Sequence, residues 1–146
     1  VEWSQTKRSV LVPFDFSQSA EAALRVARAF VAQPDHVTVL HVLAPSAPAG
    51  PGTSFVEYDE ESVRSQAHRV LREALEKAGH EAFQAQVRAG KPAETITEYA
   101  REHDCELIVI PSHGRTGMER FFLGSVAERV VRLAPCPVLV LRAEDA

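Results

Sequence analysis

Leu107 to Arg142 reads LIVIPSHGRTGMERFFLGSVAERVVRLAPCPVLVLR, and this stretch decides the fold. Leu107–Pro111 is a short, continuous apolar run ended by a proline, the pattern of a strand buried on both faces. Ser125 to Ala134 then sets Ala127, Val130, Val131 and Ala134 at helical spacing, and Pro137 to Arg142 is a second apolar run of strand length. Strand, loop, helix and strand in that order make a crossover unit, which sets the two strands parallel with a right-handed connection.

The same alternation continues upstream. Ser9–Pro13 (SVLVP) is another doubly buried strand, and from Ser17 onward Ala20, Ala23, Leu24, Ala27, Phe30 and Val31 trace a helix closed by Gln33-Pro34-Asp35. Val37–Leu43 is the next strand, and Val63, Ala67, Val70, Leu71, Ala74, Leu75 and Ala78 mark a helix ending at Gly79. Ala82–Arg88 alternates apolar with polar residues, as a half-exposed strand at a sheet edge does. Gly90-Lys91-Pro92 turns the chain into a helix that carries Ile96 and Ala100 on one face and reaches Glu102. The pattern predicts a single α/β domain over residues 1–146, a doubly wound parallel sheet of five strands with helices on both faces. Ala44–Tyr58, rich in proline and glycine, is long for a connection and reads as a flap or as a plain loop.

Composition narrows the functions. The chain has 146 residues, 45% hydrophobic and 25% charged, with 16 basic against 20 acidic residues and a net charge of −4. That balance, with no basic run longer than Lys7-Arg8, argues against a nucleic-acid partner, which requires a concentrated basic surface. No apolar stretch approaches the ~20 residues of a membrane span, and Val1–Val10 lacks the apolar core of a secretory signal. Cys105 and Cys136 form neither a C-x-x-C pair nor a zinc spacing, so they read as free thiols in a reducing cytoplasm.

Ligands of open parallel sheets bind beyond the carboxyl ends of the strands, where the strand order reverses. This selects the loops after the first and fourth strands. Asp15 in the first is a carboxylate for a ribose hydroxyl or an Asx-turn residue that introduces the helix. In the second, Gly114, Gly117 and Gly124 allow positive φ and close backbone approach, and Gly124-Ser125 opens a helix whose free N–H groups favour a phosphate. Ser125-Val126-Ala127-Glu128 also reads as a capping box that needs no ligand. His113 and Arg115 read as exposed loop residues, Arg115 in reach of a polyphosphate. His41, within a strand, reads as a packed histidine. No P-loop, dinucleotide fingerprint, metalloprotease or nucleophile-elbow motif is present, so the expectation is no catalytic residue and no protein-held metal.

These residues resemble the universal stress protein family over Val10 to Arg142. Val10–Ser17 (VLVPFDFS) is similar to that family's first strand and turn, and Leu40-His41-Val42 to the end of its second strand. The family's nucleotide-binding members carry Gly-x2-Gly-x9-Gly followed by Ser or Thr. Here Gly114, nine intervening residues and Gly124-Ser125 satisfy the second half, while Pro111 replaces the first glycine, removing a donor and fixing φ. The resemblance implies an adenine-nucleotide alpha-hydrolase-like sheet of order 3-2-1-4-5. It implies a stress-response sensor or regulator that binds ATP, ADP or AMP, with Mg²⁺ or Mn²⁺ held through the phosphates. Pro13, Phe14 and Asp15 would flank adenine and ribose, Val42 would meet the base, and Gly114, Gly124, Ser125 and Val126 would hold phosphates. It also implies a homodimer paired through Val138–Leu141 and names no protein partner. A same-fold interaction module that binds no nucleotide is the alternative.

Overall fold

The structure, a computed structural model, describes residues 7–45, 59–113 and 123–142. The strands are β1 (Val10–Pro13), β2 (Val37–Leu43), β3 (Gln84–Ala89), β4 (Leu107–Pro111) and β5 (Val138–Leu141). The helices are α1 (Gln18–Arg28), α2 (Glu60–Lys77), α3 (Pro92–Glu102) and α4 (Ser125–Leu133), with a 3₁₀ turn at Pro34–His36. All strand pairs are parallel in one sheet of order β3-β2-β1-β4-β5, the order the resemblance implies.

Alternation of side chains along the central strands explains their unbroken apolar sequence. Val10, Val12, Val37, Val39 and Val109 pack beneath α1 and α2, while Leu11, Leu40, Ile108 and Ile110 pack against α3 and α4. β3 is an edge, as its sequence predicts: Ala85 and Val87 are buried and Gln84 and Gln86 face outward. At the other edge every residue of β5 is half-buried. No helix among the described residues is long and apolar enough to cross a membrane.

Local signals set the helix ends. Ser17 Oγ accepts the Ala20 N–H at 3.1 Å and caps α1. α1 stops at Arg28, short of the Phe30 and Val31 that the helical spacing includes, because Val31 is buried in a parallel bridge with Lys7 and its carbonyl accepts from the Arg28 guanidinium at 2.9 Å. α2 closes on Gly79 at φ +78°, with the His80 N–H on Leu75 O at 2.8 Å. Its apolar stripe is narrower than the sequence suggests. Leu71 and Leu75 are fully buried, whereas Val63 and Val70 are 37% and 42% exposed.

The β1–β4 ladder ends early, and two prolines explain why. β1 pairs with β2 as far as Pro13↔Leu40, and β4 with β5 as far as Pro111↔Leu141, yet β1 and β4 pair only at Val10↔Leu107 and Leu11↔Ile108. The Phe14 N–H bonds Leu40 O at 2.9 Å, so strand alternation aims the nitrogen of residue 13 at β4. The Ser112 N–H bonds Leu141 O at 2.7 Å, which aims the nitrogen of residue 111 at β1. Both nitrogens belong to prolines and carry no hydrogen. The strands therefore part at the point where the sheet order reverses, and Pro111 removes no bond from the β4–β5 ladder.

Candidate functional site

Where β1 and β4 part, the carboxyl ends of the strands open into a cavity of about 560 Å³. Of the sequence-selected residues, Pro13, Phe14, Asp15, Val42, Pro111, His113, Gly124, Ser125 and Val126 all line it. Gly114, Arg115 and Gly117 lie outside the described residues, as does most of Ala44–Tyr58. The wall also includes Leu40, His41, Pro92 and Ile96, which sequence reasoning did not place there. Pro92 and Ile96 arrive because α3 begins beside the strand ends. The amphipathic pattern marks Ile96 as apolar without telling core from cavity.

The β1 side is pinned by the backbone. Asp15 Oδ1 accepts the Ser17 N–H at 3.1 Å, so Asp15 forms the Asx turn and lines the cavity as well. Phe16 between them sits at φ +65°, a left-handed conformation rare for a bulky residue. Its ring meets Phe14 and His41 edge to face, at centroid distances of 5.1 and 4.9 Å. His41 Nδ1 lies 2.8 Å from Phe14 O, and since a carbonyl only accepts, Nδ1 carries the proton. His41 is packed, as its sequence context suggests, and faces the cavity too.

The β4 side departs from expectation in three respects. His113 is 6% exposed, not an exposed loop residue, and neither ring nitrogen has a hydrogen-bond partner among the described residues. Such burial costs about 1–3 kcal/mol for each polar atom left unsatisfied. The second difference is that Ser125 is not a cap. It is the first residue of α4, Gly124 occupies the N-cap without a side-chain bond, and Glu128 pairs with Arg132 at 2.9 Å instead of folding back over the helix start. The expected capping box is absent, because the chain is held one residue earlier by the Gly124 N–H on Ser112 O at 2.7 Å. Third, Gly124 has φ −61°, so positive φ does not explain it. A Cβ there would lie 2.8 Å from Ser112 O and 3.6 Å from His113 Nδ1, so only glycine lets α4 start this close to β4.

The first turn of α4 thus presents backbone N–H groups and the positive end of its dipole without a side-chain cap, along a wall lined by Gly124, Ser125, Val126 and Ala127. The buried His113 imidazole, without a hydrogen-bond partner among the described residues, stands beside it. This donor set fits an anionic group. Among the described residues no three His, Cys, Asp or Glu side chains are grouped to hold a metal ion. The thiols precede β4 and β5, at the opposite end of the strands from the cavity. Burial and the neighbouring Cys105 thiol push Cys136 up to about 11, and burial, ahead of the adjacent Asp104, raises Cys105 against the bond from Ser9.

Sheet order, flanking helices and crevice define a doubly wound α/β domain, and its likeness to UspA-type structures places it in the adenine-nucleotide alpha-hydrolase-like class. The sequence pattern of the universal stress protein family matches residues 7–142, and the chain belongs to that family. It is 32% identical over 142 residues to a universal stress protein of Methanocaldococcus jannaschii, covering 92% of this chain and 82% of the relative. Among solved structures, the universal stress protein UspA of Lactobacillus plantarum superposes with a TM-score of 0.70 at 27% identity, covering 94% of this chain and 100% of that one. The universal stress protein of Archaeoglobus fulgidus in complex with dAMP superposes with a TM-score of 0.56 at 28% identity, covering 92% and 97%.

Proposed function

We propose that this universal stress protein binds an adenine nucleotide in the β1–β4 crevice and works in the cytoplasm as a stress-response sensor or regulator rather than as a fast enzyme. The observation that carries the reading is the convergence on one cavity of the α4 N-terminus and the His113 imidazole, which have no side-chain cap and no hydrogen-bond partner among the described residues, with the Asp15 carboxylate. Its volume lies within the ~300–1,000 Å³ usual for small-molecule sites, and the dAMP complex of the Archaeoglobus relative supports the choice of ligand. In this reading Pro13, Phe14 and Asp15 flank adenine and ribose and Val42 meets the base. Gly114, Gly124, Ser125 and Val126 hold the phosphates. The nucleotide is ATP, ADP or AMP, and a divalent ion would ride on its phosphates, supplying charge neutralisation when bound.

The protein acts as a homodimer through β5, whose outer edge is unpaired among the described residues and whose side chains are only half-buried. A second reading, an interaction module without nucleotide, is favoured by one feature: Pro13 and Pro111 leave the crevice floor without backbone donors there. Thermal unfolding with adenosine, AMP, ADP and ATP separates the two. The nucleotide reading expects each to raise the midpoint, and Asp15→Asn, which keeps the Asx-turn acceptor, to weaken binding about tenfold or more, the worth of a hydrogen bond to a charged group. A midpoint unmoved by every nucleotide supports the interaction module.

A further inference from the structure

We propose that His113 reads the phosphate of the bound nucleotide and takes up a proton as it does so, so that nucleotide occupancy rises as pH falls across the range in which imidazoles titrate. This inference rests on the nucleotide reading above and adds a regulatory input to the same site. Three observations carry it. The imidazole is more than nine-tenths buried in the cavity wall, and both its nitrogens are unpartnered among the described residues. Nδ1 lies 3.6 Å from where a Cβ of Gly124 would stand, so the ring edge is set against the start of α4. That start carries no side-chain cap among the described residues and favours an anion.

A phosphate brought to this place is an acceptor-only, negatively charged partner for a ring that has none. An anion beside an imidazole favours its protonated form, and by reciprocity the protonated form favours the anion. The proton comes from solvent, the N–H it forms donates to a phosphate oxygen, and no bond in the nucleotide changes. Among the described residues the other titratable groups lining the crevice are Asp15, from the loop after β1, and His41, from β2. α3 and α4 contribute Pro92, Ile96 and the first turn of α4 to the wall, and of their charged side chains Glu94 pairs with Arg129 and Glu128 with Arg132. His41 already commits Nδ1 to Phe14 O.

The test is calorimetric titration of the full chain with ATP and with adenosine, in excess Mg²⁺, at pH 6, 7 and 8 in buffers of differing ionisation enthalpy. We expect ATP affinity to fall about three- to tenfold from pH 6 to pH 8, with uptake of up to about one proton per site, while adenosine affinity stays flat. His113→Asn and His113→Gln should remove the wild-type slope beyond what the nucleotide's own phosphate contributes, and His41→Asn should keep it. Imidazole ¹⁵N resonances of the wild type supply a readout independent of variant folding, and ATP should move His113 toward the doubly protonated pattern. ATP binding with the same slope in His113→Asn, or an unmoved His113 resonance at saturation, overturns the proposal and leaves nucleotide binding standing. Absence of ATP binding by the wild type at every pH overturns both.

Discussion

Replacing Gly124 with alanine tests the contact that brings β4 and α4 together. The added Cβ would sit 2.8 Å from the backbone oxygen of Ser112, and relief requires the two segments to separate by about half an ångström. The same oxygen accepts the Gly124 N–H at 2.7 Å, so the movement that relieves the clash stretches that bond. Overpacking of a rigid contact costs about 1–3 kcal/mol, and a weakened hydrogen bond adds a fraction of about 1 kcal/mol. A loss of about 2 kcal/mol follows, equivalent to a fall in Tm of about 4–8 °C for a domain of this size. Gly79→Ala is the comparison. Gly79 sits at φ +78° with nothing within 4 Å of a Cβ, so its cost, about 1–2 kcal/mol, is conformational only and lies far from the crevice. Urea unfolding measures both. Gly124→Ala should also weaken nucleotide binding by displacing the α4 N–H groups, and Gly79→Ala should not. A Gly124→Ala protein with the wild-type midpoint would refute the claim that close approach explains this glycine.

Two further outcomes follow from the sheet and the thiols. The Ile108 N–H bonds Pro137 O and the Ser112 N–H bonds Leu141 O, so alternation aims the Val140 nitrogen away from β4. Val140→Pro should therefore convert a β5-paired dimer to monomer in analytical ultracentrifugation with the fold retained, whereas an unchanged dimer places the interface elsewhere. Cys136, raised from an ordinary 9.0 to about 11, holds about a hundredfold less thiolate at pH 8 than an unperturbed thiol. Native protein should react with iodoacetamide at least about tenfold more slowly than urea-unfolded protein at pH 8, and its rate should climb with pH up to about 10; equal rates would contradict the burial argument.

Much of the fold is written in the periodicity of the chain. A short apolar run such as Leu107–Pro111, rich in β-branched residues and ended by proline, reads as a parallel strand covered on both faces, and the alternating Gln84–Val87 reads as an edge. The loops at the reversal of strand order follow from the topology. What the sequence does not show depends on contacts across the fold. His113 looks exposed because it sits between Ser112 and Gly114 in a glycine-rich loop, yet the packing of Gly124 onto Ser112 buries it. The Ser125–Glu128 spacing matches a capping box, but the tether at Gly124 starts the helix before the serine can cap it. His41 joins the wall because the Asx turn and the left-handed Phe16 bring Phe14 and Phe16 onto it, and no local pattern records that. That Pro13 and Pro111 each aim a nitrogen without hydrogen into the gap between β1 and β4 is legible in principle, from strand alternation and the missing N–H of each.

The central claim is that the parting of β1 and β4 makes a nucleotide site. A crystal structure of the protein with ATP and Mg²⁺ tests it most directly. One nucleotide per chain is expected, its ribose beside Asp15, its phosphates at the first turn of α4 and an oxygen within hydrogen-bond distance of His113. A crevice empty at saturating ATP, or a nucleotide ordered elsewhere on the chain, would contradict it.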